Sequence, residues 1–275
     1  MRRDTTDCLD PDASDRLKIM AEAAMLAGEG LIRAARDRSR LSITEKTVGD
    51  FVSEADHEAE ETIATYLNQS FPGYGWLGEE SGERLSQADG LRWIVDPLDG
   101  TTNFLKGLPH WAVSIALYRG DDPLCAVIHD PIKAETFSAE RGCGAYLNGQ
   151  PIHVAPSAPL PTMLLATGVP SGGRITYLPH CLSDLDALMP QTAGIRRWGA
   201  AALDLAYVAA GRLDAYWERN LGPWDIAAGA LIVEEAGGQM LPLWPDRTLL
   251  QSGSFLAGHP DTVAGILLSL DRGMR

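Results

Sequence analysis

The stretch Trp93-Ile94-Val95-Asp96-Pro97-Leu98-Asp99-Gly100-Thr101-Thr102 sets the strictest condition on how this chain folds. An apolar, strand-forming run ends on two carboxylates, and a buried charge is costly unless something compensates it. In a regular strand Asp96 and Asp99 would face opposite sides, because side chains alternate. Pro97 has no N–H to give a ladder, so pairing is expected to end there. A turn at 97–98 would bring both carboxylates to one side and free the Leu98 carbonyl as a third oxygen. Gly100 permits close backbone approach, and Thr101 and Thr102 open a helical turn whose N–H groups face the same space. Hard oxygens suit a cation such as Mg2+, and the amides suit a phosphate. Read alone, Asp99-Gly100 is equally well explained as an ordinary turn with Asp96 as a cap.

Three other acidic stretches have the same ambiguity. Gly78-Glu79-Glu80-Ser81 follows a strand pattern and places two acids in a turn. Asp225 falls in the first turn of an apolar helix that starts at Pro223, and Asp56 lies three residues after Ser53 at another helix start. Each has a local explanation: a solvated loop, a helix-dipole partner, a first-turn acid.

Elsewhere periodicity organises the chain. Residues 1–13 are polar and expected to fray. Helical spacing runs from Ser14 to Arg38, and from Ser53 as N-cap to a stop at Phe71-Pro72-Gly73. Strands are expected within 74–82, at 92–96, and twice within 110–131 around a tight Gly120-Asp121-Asp122-Pro123 turn. Short strands continue to 154. The Pro- and Ala-rich stretch 155–162 separates two halves, 14–155 and 156–275. In the second half the pattern predicts strands at 163–168, 194–199, 213–218 and 252–258, and helices at 175–189, 200–212, 223–238 and 261–271. Strands and helices mix without repeats, so the class is α/β or α+β.

Composition excludes several functions. The formal charge of −14 argues against nonspecific binding to nucleic acid or an anionic membrane. The four cysteines (Cys8, Cys125, Cys143, Cys181) form no C-x-x-C pair, which indicates reduced thiols of a cytoplasmic protein rather than a zinc or redox site. No signal-peptide h-region and no apolar run long enough to span a membrane is present. The six histidines show no ligand spacing and read as structural or surface residues.

Taken together, GEES at 78–81, WIVDPLDGTTNF at 93–104, PWDIAAGALIVEEAGG at 223–238 and DFVSEAD at 50–56 resemble the inositol monophosphatase family. These are Mg2+-dependent, lithium-inhibited sugar-phosphate phosphatases. The resemblance runs from about residue 15 to 270 and is strongest to the bacterial inositol-1-monophosphatase branch. It implies a layered α/β/α/β/α sandwich with the site between its halves. It further implies that Glu79, Asp96 and the Leu98 carbonyl hold one Mg2+, that Asp96, Asp99 and Asp225 hold a second, and that a third ion near Glu79 stays open. Asp56 and the Thr101 hydroxyl would orient and deprotonate a water, and the Gly100 and Thr101 N–H groups would hold phosphate oxygens. Glu80 would be a supporting or structural residue. Glu218 would accept hydrogen bonds from a ring hydroxyl, and Gly199, Ala200 and Ala201 would line the sugar pocket. Arg197 would hold substrate or serve a subunit contact, and Lys46 would lie by the site or in an exposed loop. The implied reaction is hydrolysis of myo-inositol 1-phosphate by a cytoplasmic homodimer with no direct nucleic-acid partner. Histidinol phosphate, fructose 1,6-bisphosphate and 3′-phosphoadenosine 5′-phosphate are the alternative substrates, and a non-catalytic accessory role is the alternative class.

Overall fold

The inner strands of this chain bury apolar residues on both faces, and that requirement sets the number of layers. The computed structural model describes residues 9–37, 42–47, 50–169, 172–244 and 246–270; for 45–47, 50–51 and 172–174 it describes the backbone alone. The chain opens with α1 (Asp15–Ala35), a hairpin of β1 (Ile43–Thr47) and β2 (Asp50–Ser53), and α2 (Glu54–Ser70). Then come β3 (Gly75–Gly78), β4 (Gly82–Arg84), β5 (Leu91–Asp99) and the short α3 (Thr101–Lys106). Five strands follow: β6 (Ala112–Arg119), β7 (Asp122–Asp130), β8 (Glu135–Glu140), β9 (Gly144–Leu147) and β10 (Gln150–Ile152). The remainder alternates: β11 (Leu164–Thr167), α4 (Leu178–Leu188), β12 (Gly194–Arg196), α5 (Ala201–Ala209), β13 (Ala215–Glu218), α6 (Pro223–Glu235), β14 (Gln239–Pro242), α7 (Leu249–Ser252), β15 (Phe255–Gly258) and α8 (Pro260–Leu270).

One sheet has the order β10-β9-β8-β7-β6-β5-β3-β4 and the other β12-β11-β13-β15-β14. Alternation assigns the faces. Trp93, Val95, Val113, Ile115, Leu117 and Val127 pack on α1 and α2 through Leu17, Met20, Ile63 and Leu67. Ile94, Ala116, Tyr118, Ala126 and Ile128, one residue out of phase, pack on α5 and α6. The second sheet repeats the pattern: Tyr216, Phe255 and Ala257 face α5 and α6, while Ala215, Trp217 and Leu256 face Leu188, Val263 and Ile266 of α4 and α8. The result is the expected α/β/α/β/α sandwich. Helices α5 and α6 form its middle layer, buried by a sheet on each side, which explains why their sequences are apolar all round.

Several elements differ from the sequence reading. Pairing of β5 does not end at Pro97: Asp96 lies opposite Ser114 and Asp99 opposite Ala112, with the register shifted between them. The 175–189 segment is helical in two parts, a 3-10 stretch at Gly172–Tyr177 and then α4, which carries Pro179 at its start. The strand at 194–199 stops at Arg196. The tight turn is made by Gly120 and Asp121, since Asp122 already pairs with Arg119. Hairpin β1–β2, β14 and α7 went unread, being short and without a full apolar period. Leu9 and Ala13, within the stretch expected to fray, are buried against the α1–α2 core, Leu9 with 3% exposure. Cys125, Cys143 and Cys181 are unpaired, and Cys8 lies outside the described residues.

Helix α1 rests on β7 at His129. A Cβ at Gly28 would come within 2.9 Å of the His129 ring and 3.1 Å of Pro131 Cβ, so only glycine allows this approach. His129 is buried with its Nδ1 3.0 Å from Thr136 Oγ1, and burial lowers its pKa from 6.5 to about 4. A depressed pKa means the unfolded state binds a proton that the folded state refuses. The stability His129 provides is therefore complete above pH 6.5 and lost as pH falls toward 4, a loss on the order of 3 kcal/mol. Chemical denaturation of the protein and of His129→Gln should show their stability difference shrinking across that window. A difference independent of pH would refute this account.

Candidate active site

The register shift in β5 answers the question of the two aspartates. Ser114 and Ala112 are two residues apart and face one way. Asp96 and Asp99, opposite them, are three apart, so one extra residue is absorbed as a bulge. That bulge turns both carboxylates to the same side. The Leu98 N–H donates to Asp96 Oδ1 at 2.9 Å, which fixes the carboxylate across the bulge. Gly100 follows at φ 93, a left-handed conformation that also brings the backbone close: a Cβ there would lie 3.1 Å from the His110 carbonyl and 3.2 Å from Ala200 Cβ.

Asp225 and Asp56 arrive by a shared device. Each is the third residue of a helix and reaches back to the residue before its first turn. Asp225 Oδ2 accepts from the Gly222 N–H at 2.7 Å at the start of α6. Asp56 Oδ2 accepts from the Ser53 N–H at 2.8 Å and hydroxyl at 2.7 Å at the start of α2. The first-turn reading of both acids is thus correct, and a carboxylate still has further lone pairs. The start of α6 is also fastened to the large sheet, because the Tyr118 hydroxyl donates to the Ala227 carbonyl at 3.1 Å and Ser114 to that of Trp224 at 3.4 Å.

One ligand atom each from Asp96, Asp99 and Asp225 lies within 4.8 Å of the others. Asp96 and Asp99 are buried, and their pKa values stand well above 3.8. For Asp96 the causes are burial, then repulsion by Glu79, Asp99 and Asp225; for Asp99 they are burial, then Asp225. Among the described residues, the strongest influences on either acid are burial, other carboxylates and backbone N–H groups. Buried carboxylates that repel one another, with oxygen as the only donor type, are the environment of a hard divalent cation. The residues present therefore fit one.

The other sequence-predicted residues are placed by the structure, Lys46 excepted. Thr101 Oγ1 stands 3.1 Å from both Asp56 Oδ1 and the Leu98 carbonyl, and its single proton serves one of them at a time. Glu79 lies in the field of Asp96, and its N–H donates to the Val95 carbonyl at 3.2 Å. Glu218 ends β13, half-buried; its carboxylate accepts from the Tyr216 hydroxyl, and desolvation with Asp204 and Asp225 nearby raises its pKa to about 7. Arg197 is exposed and donates to the Val169 carbonyl at 3.3 Å. Gly199 is exposed, whereas Ala200 and Ala201 are buried at the start of α5. The side chain of Lys46 lies outside the described residues.

Three contributors escaped the sequence reading. Asp99 is held by backbone, with its carboxylate accepting from Ala201 N–H at 3.2 Å and Ala202 N–H at 2.7 Å at the N-terminus of α5. Buried Glu60 organises the Glu79 loop, accepting from the N–H groups of Glu80 at 2.9 Å and Ser81 at 3.0 Å. Its signal was present, four residues after Asp56 on the same helix face. Asn103 donates to the carbonyls of His110 and Trp198, both at 2.8 Å, and so ties α3 to the loop before α5.

Comparison with known proteins decides the family. The model of the inositol monophosphatase family matches residues 12–272. The chain belongs to the inositol monophosphatase family. It is an enzyme of the phosphatase kind that defines this family. An inositol-1-monophosphatase of Mesorhizobium japonicum is 44% identical over 243 residues, covering 88% of this chain and 91% of that one. Nus factor SuhB of Pseudomonas aeruginosa is 43% identical over 257 residues, 92% of this chain and 95% of that one. Among solved structures, the extragenic suppressor protein suhB from Bartonella henselae superimposes with a TM-score of 0.91 at 41% identity, over 94% of this chain and all of that one. Among the described residues no helix of this inositol monophosphatase relative is long and apolar enough to cross a membrane.

Proposed function

We propose that this chain hydrolyses myo-inositol 1-phosphate to inositol and phosphate with the help of Mg2+. The observation that carries the reading is the convergence of Asp96, Asp99 and Asp225 within 4.8 Å, beside a hydroxyl shared between Asp56 and Leu98. Glu79, Asp96, Asp99, Asp225 and the Leu98 carbonyl are the residues to hold two ions, with room for a third near Glu79 left open. Bound there, the metal supplies charge neutralisation for the phosphate and acidifies a water. The remaining tasks fall to the protein. Asp56 Oδ1, fixed by its helix cap, accepts the proton that the water gives up, relayed through or oriented by the Thr101 hydroxyl. The N–H groups of Gly100 and Thr101 bind phosphate oxygens at a turn whose amides have no helical partner. Glu218 accepts a hydrogen bond from a polyol hydroxyl, and Gly199, Ala200, Ala201 and Arg197 border that end of the site.

The division into halves at 155/156 belongs to the same proposal: the first half brings most of the ligands, the second Asp225 and the substrate residues. A cytoplasmic homodimer without direct nucleic-acid contact completes it. The test is phosphate release from inositol 1-phosphate, histidinol phosphate, fructose 1,6-bisphosphate and 3′-phosphoadenosine 5′-phosphate. Dialysis against chelator should abolish release, Mg2+ should restore it, lithium should inhibit it, and inositol 1-phosphate should have the highest kcat/KM. Preference for another ester refutes the substrate, and full activity in chelator refutes the metal. A second reading, an accessory role beside catalysis, is favoured by relatives named Nus factor SuhB being as similar as those named inositol-1-monophosphatase. It predicts that Asp96→Asn keeps a cellular phenotype that loss of the whole chain does not.

A further inference from the structure

The connection from Glu218 to Asp225 is fastened at almost every step. Glu218 pairs with Phe255 across β13 and β15. Asn220, at φ 62, donates its N–H to Ser254 Oγ at 3.0 Å, and Leu221 N–H donates to the Gly253 carbonyl at 2.8 Å. Gly222 is bonded to Asp225 itself. All these fastenings lead to the 253–255 segment or stay within the connection. Trp224, at the far end, is tied to the large sheet through Ser114. Arg219 reaches a third way, into α4. Its Nε donates to Asp184 Oδ2 at 2.8 Å and its Nη2 to Asp184 Oδ1 at 3.0 Å. The two side chains are 0% and 2% exposed, and the guanidinium carbon lies 5.6 Å from the centre of the Trp244 ring.

Stability is a weak reason for keeping such a pair. Removing two charges from water costs more than their attraction commonly returns, and apolar replacements of similar volume are often as stable or more so. Arg219 Nη1 adds to the cost, because it is buried with no hydrogen-bond partner among the described residues. A planar guanidinium gripping a carboxylate through two parallel bonds does offer direction, fixing orientation as well as distance. What it orients is the backbone one residue beyond Glu218.

We propose that Arg219 and Asp184 are a positioning pair that holds Glu218 where it meets a substrate hydroxyl. The pair thereby sets the preference for polyol phosphates over simple phosphate esters. This rests on the reading of Glu218 as the polyol contact. Both side chains are closed off from solvent and reach the site through the backbone of Glu218, so the pair acts on binding of the polyol and not on bond cleavage.

The experiment compares Glu218→Gln with the double variant Arg219→Met, Asp184→Leu, each assayed on inositol 1-phosphate and on p-nitrophenyl phosphate, with Tm measured for both. The double variant is expected to melt at or above the temperature of the parent protein. Its KM for inositol 1-phosphate should rise about tenfold with kcat within about twofold, while both constants for the aryl ester stay unchanged. Glu218→Gln should raise the same KM. If Glu218→Gln raises it and the double variant does not, the pair is only structural and the proposal falls while the reading of Glu218 stands. If Glu218→Gln leaves KM unchanged, both fall together. Should the double variant not fold, Arg219→Lys keeps the charge and loses the two-pronged grip; it should raise the KM several-fold, and an unchanged KM overturns the proposal.

Discussion

Asp96→Asn is expected to lose hydrolysis by about a thousandfold or more while raising the melting temperature of the metal-free protein. Asp96 is the acid on which Glu79, Asp99 and Asp225 all act. Asparagine keeps Oδ1 to accept the Leu98 N–H, so the bulge in β5 has no reason to change. What disappears is a buried negative charge, and with it an anionic oxygen that would hold the proposed metal. The pH dependence follows from the direction of the shift. A carboxyl whose folded pKa stands above 3.8 gives stability that is complete below that value and lost as pH rises through the raised one. Asparagine escapes the loss, so the variant should gain over the parent at pH 7 in chelator and gain nothing below pH 3.8. Saturating Mg2+ should reverse the order, because only the parent has its full ligand set. Two measurements suffice: phosphate release with Mg2+, and thermal melts in chelator at pH 7 and pH 3.5. Retention of a tenth of the activity, or a lower melting temperature in chelator at pH 7, would count against the assignment.

The second large effect is expected from a residue with no chemistry. Gly229→Val should leave little folded protein. Helices α5 and α6 touch at Gly229, where a Cβ would stand 2.6 Å from Leu205 Cβ and 3.0 Å from its Cγ. Both helices are enclosed between sheets, so neither has room to retreat. Overpacking of a filled interior costs about 1–3 kcal/mol for small additions, and a β-branched side chain adds more. Gly229→Ala is the informative milder variant. Better helix propensity gives back up to about 1 kcal/mol, so it should fold with a lowered Tm. Activity should suffer as well, because the N-terminus of α5 holds Asp99 while that of α6 carries Asp225. The Mg2+ concentration giving half-maximal activity should rise several-fold. Unchanged Tm and Mg2+ dependence in Gly229→Ala would show that this contact does not set the distance between the two acids.

The sequence made the layers readable because their cause is local. Alternation in Trp93-Ile94-Val95 and all-round apolarity in 226–233 are properties of neighbouring residues, and burial follows from them. The helix starts at Asp56 and Asp225 were legible for a similar reason, whereas their grouping into one candidate site came from the family resemblance and not from local pattern. The path of β5 was harder. Pro97 predicts the end of pairing, yet Asp99 rejoins Ala112, because the partner strand continues and rewards a second attachment. The main-chain groups that hold Asp99 stayed invisible. The amides of Ala201 and Ala202 bind Asp99, and an alanine carries no mark of what its N–H will do. Glu60 was hidden differently: one glutamate in an acidic helix resembles the rest until burial separates it from them.

The aspartates that open α2 and α6 have an implication for how such an enzyme changes over generations. A chain drifting away from hydrolysis would ordinarily be free to discard its reactive groups. Here, discarding Asp56 or Asp225 also frays a helix that the neighbouring layers depend on, so these two acids should outlast the activity itself. Under the proposed assignment, a descendant that had given up catalysis would be recognised by changes at Asp96 and Thr101, with both helix-opening aspartates still in place.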